Sequence, residues 1–211
     1  MIIIGAKGHA KEIFDCIDIV NYNSLYFFDN VNIDIGESLF DYEILKNFES
    51  VKKVLENDPN FIIGIGGVIH RFNLNNIFTA LNGCPSSLIS KNSQISNNCS
   101  LGTGLNIMPF VSVFAGVSIE DGSLINSQAS IHHDSKIGKF VEISPGARIL
   151  GNCIIGDFTT IGTNAVILPK VKVGKNVIIG AGSVVTKDIP DNCLVVGVPA
   201  VIKKKLEPLN L

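Results

Sequence analysis

The sequence predicts a two-part fold: a small Rossmann-like βαβαβ domain over residues 1–85, followed by a parallel β-helix over residues 86–190. Three observations support this prediction. Aliphatic residues recur at a six-residue period from Ile89 onward, strand-like and helix-like segments alternate before that point, and the period stops at Val185. The chain therefore combines an α/β part with an all-β part. Residues 191–211 lie beyond the period, and we expect them to form a separate C-terminal segment.

The six-residue period is unbroken across more than half of the chain. An α-helix cannot keep such a period on one face because its repeat is about 3.6 residues, and an amphipathic strand alternates with a period of two. A hexapeptide period is instead typical of a parallel β-helix, in which six residues form each flat side and three sides complete one coil of a prism. The seventeen positions are Ile89, Ile95, Leu101, Ile107, Val113, Ile119, Ile125, Ile131, Ile137, Ile143, Ile149, Ile155, Ile161, Ile167, Val173, Ile179 and Val185.

The segment before the repeat alternates between strands and helices. Residues 1–5, 25–28 and 61–65 are short apolar runs typical of buried strands. Residues 11–20 carry apolar side chains at helical spacing, and a second helical stretch runs from about residue 69 to residue 81. Strand–helix–strand alternation predicts a small parallel sheet covered by helices.

Glycine-rich or polar residues follow each of these three strands: residues 5–11, then Asp29 with Asn30, then Gly66 with Gly67. Ligands of open parallel sheets bind at the carboxyl ends of the strands, and free backbone N–H groups at a helix N-terminus suit phosphate. Asp29 lies where dinucleotide-binding folds bind a ribose. The loop reads GxxGxA rather than GxGxxG, and the domain is short, so the pattern favours a mononucleotide diphosphate.

Composition excludes several classes of function. Hydrophobic residues make up 46% of the chain and charged residues 17%, with a net charge of -2, so no basic surface for nucleic acid is expected. No apolar run approaches the ~18 residues that span a bilayer, and the N-terminus lacks the pattern of a signal peptide. The cysteines show no metal-ligand spacing, which indicates reduced thiols of a cytoplasmic protein and no bound metal. They are Cys16, Cys84, Cys99, Cys153 and Cys193.

Three segments together resemble one family along nearly the whole chain. They are GAKGHAKE at residues 5–12, the seventeen hexads, and DNCLVVGVPAVIKK at residues 191–204. The family is the bacterial sugar acetyltransferases that include bacillosamine-pathway UDP-4-amino-sugar N-acetyltransferases and sialic acid O-acetyltransferases. The resemblance implies a left-handed parallel β-helix, a homotrimer in the cytoplasm, and acetyl-CoA bound in the groove between neighbouring prisms. Residues 191–211 would then cover the CoA site.

The segment NSQASIHHD at residues 126–134 looks like the catalytic stretch of that family. By resemblance, His133 is the base that takes a proton from the attacking amine, Asp134 orients its imidazole, and Asn126 orients substrate or base. Neighbouring strand residues point to opposite sides, so His132 is expected to be a surface residue. The implied reaction moves acetyl from acetyl-CoA to the 4-amino group of a UDP- or dTDP-linked 4-amino-4,6-dideoxy sugar, for surface glycan biosynthesis.

Gly151 follows His133 by eighteen residues, which places it one coil above the histidine. A glycine there would let a backbone N–H approach the thioester carbonyl and stabilise the charge that develops on its oxygen. The family uses a glycine in this role, so spacing and resemblance agree. A glycine required only by the turn of the coil stays an open alternative.

The remaining contacts with CoA that the resemblance implies lie late in the chain. They are Gly180, Ala181, Gly197 and Pro199. Glu142 and Gly151 would also face the cofactor. Some relatives carry a second histidine at the position of Glu142, and an ionised glutamate cannot donate the hydrogen bond that such a histidine gives the thioester.

The N-terminal domain carries the residues that the resemblance assigns to the nucleotide-linked sugar. His9 matches a family histidine that reaches the sugar-nucleotide site, Asp29 and Asn30 match the pair that binds base and ribose, and Arg71 is expected to meet the diphosphate. The full set of expected contacts is Gly8, His9, Asp29, Asn30, Gly66 and Arg71.

Three alternative functions share parts of this pattern. The gamma-type carbonic anhydrases share the prism but need three histidines around zinc, and the prism here carries only His132 and His133. A non-catalytic scaffold gives no reason for Asn126, His133 and Gly151 to occur together. O-acetylation of sialic acid or of another sugar hydroxyl stays open as the alternative reaction.

Overall fold

A computed structural model describes residues 1–17, 24–32 and 34–211. Its contacts divide the chain into two compact units, Met1–Leu88 and Ile89–Leu211. The division falls three residues after the expected boundary at residue 85, and the second unit includes residues 191–211. The end of the first predicted helix, residues 18–20, lies outside the described residues.

The first unit is a parallel sheet with three helices among its described residues. Its elements are β1 (Ile2–Ile4), α1 (Gly8–Cys16), β2 (Tyr26–Phe28), β3 (Ser38–Leu39), β4 (Tyr42–Leu45), α2 (Phe48–Leu55), β5 (Asn60–Ile63), α3 (Val68–Ala80) and β6 (Cys84–Pro85). The strand order is β3-β4-β2-β1-β5-β6, and only the β3–β4 pair is antiparallel. The central strand β1 is three isoleucines, each at most 1% exposed, as expected of a parallel strand covered on both faces.

The Rossmann-like prediction is confirmed, and the structure adds β4 and α2, which the sequence analysis did not assign. Asn47 caps α2 by accepting a hydrogen bond from the Ser50 N–H at 2.9 Å. Val51 and Leu55, one helical turn apart, are buried. Asparagine at an N-cap followed by apolar residues four apart is a helix signal, and it is present in the sequence.

The second unit repeats one two-residue strand every six residues. The strands are β7 (Leu88–Ile89), β8 (Gln94–Ile95), β9 (Ser100–Leu101), β10 (Asn106–Ile107), β11 (Ser112–Val113), β12 (Ser118–Ile119), β13 (Leu124–Ile125), β14 (Ser130–Ile131), β15 (Lys136–Ile137), β16 (Glu142–Ile143), β17 (Arg148–Ile149), β18 (Ile154–Ile155), β19 (Thr160–Ile161), β20 (Val166–Ile167), β21 (Lys172–Val173), β22 (Ile178–Ile179) and β23 (Val184–Val185). A hairpin of β24 (Cys193–Gly197) and β25 (Ala200–Lys205) follows. All seventeen predicted aliphatic positions fall on these strands.

Three parallel sheets make the flat faces of a left-handed prism, as the sequence and its resemblance predicted. We name them face A (β7, β10, β13, β16, β19, β22, extended by β24 and β25), face B (β8, β11, β14, β17, β20, β23) and face C (β9, β12, β15, β18, β21). Strands pair in register across one coil, for example Ile125 with Ile143 and Ile131 with Ile149. These isoleucines are buried, so the aliphatic row fills the interior of the prism.

Each corner of the prism turns through a residue with a positive φ angle. At the corner between faces B and C, named here the histidine corner, these residues include Gly116 (75°), Asp134 (60°) and Asn152 (61°). The corner between faces A and B carries Asn126 and is named the asparagine corner. The corner between faces C and A carries Asp121 and Asp157 and is named the aspartate corner. The left-handed conformation favours glycine, asparagine and aspartate.

Candidate active site

The histidine corner carries an exposed His–Asp pair. The Nδ1 atom of His133 lies 2.9 Å from Oδ2 of Asp134, and both side chains are 61% exposed. The left-handed turn at Asp134 allows its carboxylate to meet the ring of the preceding residue. A carboxylate accepts a hydrogen bond from Nδ1–H and thereby fixes the tautomer in which Nε2 carries the lone pair. The arrangement provides an oriented base that faces solvent.

The coil above places Gly151 against this base. A Cβ atom added to Gly151 would lie 2.5 Å from Nε2 and 2.7 Å from Cε1 of His133, so only glycine fits beside the imidazole. The Asn152 N–H donates to the His133 carbonyl at 2.9 Å, which holds the two turns together. Within residues 34–211, all of which the structure describes, no hydrogen bond occupies the Gly151 N–H. An unoccupied donor beside a base is what an oxyanion requires.

His132 points elsewhere and has a packing partner. Its ring stacks on Phe114, one coil below, with ring centroids 4.8 Å apart and an interplanar angle of 22°. His132 is half-buried, whereas His133 is exposed. The two neighbouring histidines therefore separate into a base and a packed ring, and the expectation that His132 lies on the surface holds only in part.

Asn126 lies on a different corner from His133. Roughly five extended residues of face B lie between the two side chains, which corresponds to a distance of about 16 Å at 3.3 Å per residue. The Asn126 side chain accepts a hydrogen bond from the Ser127 N–H at 2.9 Å, and no hydrogen bond joins it to His133 or Asp134 within the fully described second unit. Glu142 begins β16 on face A, one coil above Leu124. Within one chain, the structure does not bring Asn126 or Glu142 to the His–Asp pair.

Four of the predicted CoA residues, Gly180, Ala181, Gly197 and Pro199, meet at the top of the asparagine corner. A Cβ atom on Gly180 would lie 2.7 Å from Cγ1 of Val196, so the β24 strand packs directly on that glycine. The Gly197 N–H donates to the buried Ser183 hydroxyl at 3.1 Å. This bond ties the hairpin turn that contains Pro199 to the coil turn of Gly180 and Ala181. The space beside Gly180 is thus filled by β24, and the expected contacts of these residues with CoA stay predictions.

In the first unit, a pocket of about 140 Å³ opens at the carboxyl ends of the parallel strands. Asp29 and Asn30 line one side of it, as the sequence analysis expected of a ligand edge. The lining set is Ile4, Gly5, Phe28, Asp29, Asn30, Val31, Asn32, Ile65 and Leu74. Apolar walls with a few polar groups at the rim suit a flat ring such as a nucleobase.

Asp29 already organises its own loop. Its Oδ1 accepts hydrogen bonds from the Val31 and Asn32 N–H groups at 3.0 and 2.9 Å, and Oδ2 accepts one from the Asn32 side chain at 2.8 Å. Burial raises the pKa of Asp29, but the hydrogen bonds from Asn32 and the charge of Lys46 outweigh burial, so the net pKa lies below the ordinary value. The carboxylate is ionised, and its role in this structure is to shape the loop that borders the pocket.

Gly8 begins α1, and no side-chain hydrogen bond caps that helix end; helix N-termini suit anions. His9 lies 3.0 Å through Nδ1 from Glu12 Oε2, and its side chain is 12% exposed. Gly66 is exposed and does not line the pocket. The expected contacts of Gly8, His9 and Gly66 with a nucleotide stay predictions.

Arg71 requires a correction. The sequence analysis expected it to meet a diphosphate, but its side chain is 1% exposed. Its Nη1 atom donates to the carbonyl oxygens of Ile63 and Ile65 at 3.1 and 2.9 Å. A buried guanidinium that satisfies backbone carbonyls at the end of β5 is unavailable to a ligand in this conformation. Arg71 therefore fixes the strand end beside the pocket, and its expected contact with a diphosphate stays a prediction.

No group of three or more His, Cys, Asp and Glu side chains is arranged to hold a metal ion in residues 1–17, 24–32 and 34–211. No helix in that part of the chain is long and apolar enough to cross a lipid bilayer.

The sequence analysis missed Phe114 and Ser135. Phe114 stacks on His132, and the Ser135 hydroxyl donates to the Leu150 carbonyl at 2.9 Å and accepts from the Cys153 N–H at 3.1 Å. The eighteen-residue coil spacing was the available signal, because Phe114 precedes His132 by one coil and Ser135 precedes Cys153 by one coil.

The prism, the His–Asp pair and the adjacent glycine define a hexapeptide-repeat acyltransferase. Two family models match the chain: the PglD N-terminal domain over residues 1–76 and the bacterial transferase hexapeptide (six repeats) over residues 152–187. No curated protein sequence matches it.

Solved structures match nearly the full length. The acetyltransferase domain of PglB from Neisseria gonorrhoeae FA1090 is 30% identical, covers 96% of this chain and 98% of its own, and has a TM-score of 0.86. WeeI from Acinetobacter baumannii AYE is 27% identical over 96% and 98%, with a TM-score of 0.89. PerB from Caulobacter crescentus, in complex with CoA and GDP-perosamine, is 26% identical over 96% and 96%, with a TM-score of 0.87. The chain belongs to the family of sugar acetyltransferases that includes the PglB domain.

Proposed function

We propose that the protein transfers an acetyl group from acetyl-CoA to the 4-amino group of a nucleotide-linked 4-amino-4,6-dideoxy sugar. The observation that carries the proposal is the histidine corner, where an oriented imidazole lies against Gly151, whose backbone N–H is unoccupied. Acyl transfer to an amine needs both a base near neutral pH and a donor for the carbonyl oxygen. The relatives support the choice of substrates, since PglB has been solved with acetyl coenzyme A and PerB with CoA and GDP-perosamine.

Each residue of the corner has a defined role in this proposal. The Nε2 atom of His133 takes the proton from the amine as its nitrogen attacks the thioester carbonyl, and the CoA thiolate leaves. Asp134 keeps Nδ1 protonated and stabilises the imidazolium that forms. The Gly151 N–H donates to the carbonyl oxygen as negative charge develops there, which contributes about 10²–10³ in rate in comparable oxyanion holes.

The split of the expected residues between two corners supports a homotrimer. His133, Asp134 and Gly151 lie on the histidine corner, whereas Asn126 and the Gly180–Gly197 surface lie on the asparagine corner. A complete site forms if the histidine corner of one copy meets the asparagine corner of the next, and a heterologous contact of this kind closes into a ring. We propose that CoA lies between the two corners, with Glu142 and residues 191–211 along its path.

The nucleotide is proposed to bind in the first unit, with its base in the pocket beside Asp29 and Asn30 and its phosphates at the start of α1, near Gly8 and His9. All five cysteines are free thiols, which fits a reducing compartment. We therefore propose cytoplasmic synthesis of an activated sugar destined for a surface glycan. No nucleic acid or membrane surface is part of this proposal.

The test is CoA thiol release from acetyl-CoA with a panel of UDP-, dTDP- and GDP-linked 4-amino-dideoxy hexoses. We expect turnover with one of them and a loss of about 10²–10⁴ in kcat in the His133→Ala variant, the range for removal of a general base. His70→Ala is the matched control, because His70 is exposed and lies in the first unit. Turnover on sialic acid alone would instead indicate an O-acetyltransferase and overturn the amino-sugar assignment.

A further inference from the structure

An ion pair joins the two loops that follow β1 and β2 in the first unit. The Nζ atom of Lys7 lies 3.3 Å from Oδ1 of Asp34. Since β1 and β2 pair in parallel, both loops leave the same edge of the sheet. Gly5 and Asn32, each two residues before a member of the pair, line the pocket of about 140 Å³ at this edge. The ion pair therefore bridges the two loops that border the pocket, and no step of the proposed reaction described above uses it.

The pair is exposed and weakly held. The side chain of Lys7 is 51% exposed and that of Asp34 is 75% exposed. Hydrogen bonds from its own backbone N–H and from Lys7 lower the pKa of Asp34, so the carboxylate is ionised at neutral pH. Exposed ion pairs of this kind contribute little to stability, because water screens the attraction and both side chains lose conformational freedom. An anion with more charge than one carboxylate can therefore take Lys7 from Asp34.

Lys7 lies where such an anion would bind. It directly precedes α1, whose N-terminus has no side-chain hydrogen-bond cap, and the N–H groups and dipole of a helix start attract negative charge. Residues 5–10 and 29–36 contain one lysine and no arginine, and that lysine is Lys7. The same segments contain two carboxylates, Asp29 and Asp34. While Lys7 is paired with Asp34, neither loop offers an unpaired lysine or arginine to a phosphate.

We propose that Lys7 exchanges partners when the nucleotide binds: its ammonium group leaves Asp34 and donates to the diphosphate at the start of α1. The inference rests on the proposed binding of the nucleotide in the first unit. A diphosphate carries more negative charge than one carboxylate and is also attracted by the helix start, whereas a nucleoside has no charge with which to displace Asp34. The exchange makes Lys7 a determinant of selectivity for nucleoside diphosphates and makes Asp34 a competitor that lowers their affinity.

The experiment is a double-mutant cycle on ligand binding, measured by calorimetry at about 0.15 M salt, where distant charges are screened. UDP and uridine are the probes; dTDP with thymidine, or GDP with guanosine, replaces them if that diphosphate binds the wild type more tightly. In Lys7→Ala we expect the diphosphate Kd to rise about tenfold, the loss of one charged hydrogen bond, and the nucleoside Kd to stay unchanged. Lys7→Arg keeps the charge and should keep most of the affinity.

Asp34→Asn separates partner exchange from simple repulsion. It releases Lys7 and should lower the diphosphate Kd about two- to fivefold, the range for an exposed ion pair. In the Lys7→Ala background the same change should have no effect, because no ammonium group remains to be released. An equal gain of affinity in both backgrounds would show that Asp34 only repels the phosphate, and it would overturn the exchange.

Lys52→Ala is the control, because it removes an exposed lysine from the last turn of α2 and should leave both Kd values unchanged. A diphosphate Kd that is unchanged in Lys7→Ala, or raised equally in Lys52→Ala, would overturn the inference, and turnover of an amino sugar by the wild type would still leave the proposed reaction intact. Lys7-dependent binding of the diphosphate without turnover of any amino sugar would support the inference and count against the proposed reaction. No measurable binding of UDP, dTDP or GDP to the wild type overturns the inference.

Discussion

The turns of the histidine corner and the aspartate corner have the same geometry, but their backbone N–H groups differ in their hydrogen-bond partners. At the aspartate corner, turn N–H groups donate to an aspartate one coil above: Thr103 to Asp121 at 2.9 Å, Lys139 to Asp157 at 3.0 Å and Lys175 to Asp191 at 2.8 Å. At the histidine corner, the equivalent donor is Gly151, and the residue above it is Pro169, which has no acceptor side chain.

The difference shows how a repetitive fold can make one turn reactive. A carboxylate above a turn satisfies its N–H and stabilises the coil, whereas a proline leaves the donor open to a ligand. The aspartate corner also carries Lys175–Asp157 and Lys139–Asp121 ion pairs at 3.0 and 4.0 Å. In the proposed reaction, the histidine corner carries the reacting groups and the aspartate corner stabilises the prism, and variants at the two corners can separate these effects.

The largest effect after loss of His133 is expected for Gly151→Ala. The new Cβ would displace the imidazole, because it would lie 2.5 Å from Nε2, and a shift of this kind at a reacting group costs about 10²-fold in rate. The backbone φ of Gly151 lies outside the left-handed region, so alanine adds no backbone strain. The measurement is kcat with saturating substrates, together with the thermal midpoint.

Gly138→Ala is the comparison variant at the aspartate corner, at a glycine one hexad position earlier than Gly151. Its Cβ would meet the Asp157 carboxylate and lie 2.8 Å from the Asp157 backbone nitrogen, so it crowds the backbone of the next coil, away from the base. We expect a lower thermal midpoint with kcat within about twofold of the wild type, the range of effects from sites without contact to the chemistry. Equal losses of kcat in both variants would contradict a special role for Gly151.

A smaller effect is expected at Ser135, whose hydroxyl bridges both ends of the Gly151 turn, the Leu150 carbonyl and the Cys153 N–H. Ser135 is a positioning residue in this interpretation. Ser135→Ala should lower kcat about tenfold by letting the turn shift, since small displacements at the oxyanion donor are costly. Ser135→Thr should restore activity, because threonine keeps the hydroxyl and Thr159 makes the same bridge elsewhere.

Ser123 offers a close control for Ser135. Its hydroxyl bridges the Gly138 carbonyl at 2.9 Å and the Val141 N–H at 3.0 Å, the same pair of bonds at the aspartate corner. Ser123→Ala and Ser135→Ala should lower the thermal midpoint alike, because each leaves two buried backbone groups without a partner. Only the latter should lower kcat. A parallel fall of activity in both variants would show that the bridge acts on stability alone.

The prism could be predicted almost completely from the sequence, because its register depends on local spacing. Every sixth side chain points inward, and the eighteen-residue coil placed Gly151 above His133 before any coordinates were known. The orientation of Asp134 toward Nδ1 followed from the resemblance and from adjacency in the chain.

Other features depend on contacts that spacing does not encode. Arg71 was expected at a phosphate, but its guanidinium is buried on the carbonyls of β5, a choice decided by three-dimensional packing. Asn126 was expected in one site with His133, but within one chain the whole width of face B lies between these two residues. The stacking of Phe114 on His132 depends on the orientation of both rings, which the hexad spacing does not encode. The contacts expected between the other site residues and their ligands stay predictions.

The smallest effect is expected from the charges of the aspartate corner. Burial raises the pKa of Asp157, but hydrogen bonds from the Lys175 side chain and the Lys139 backbone outweigh burial and lower the net pKa. A lowered carboxyl pKa contributes stability above the unfolded value of about 3.9, and the contribution is lost as pH falls through the folded pKa.

Asp157→Asn should therefore lower the thermal midpoint at pH 7, by the equivalent of at most about 1 kcal/mol for a partly exposed pair. The difference from the wild type should shrink below about pH 4, and kcat should not change. Thermal unfolding followed by circular dichroism from pH 7 to pH 3 measures both. A difference that grows as pH falls would show that Asp157 does not stabilise the corner through its charge.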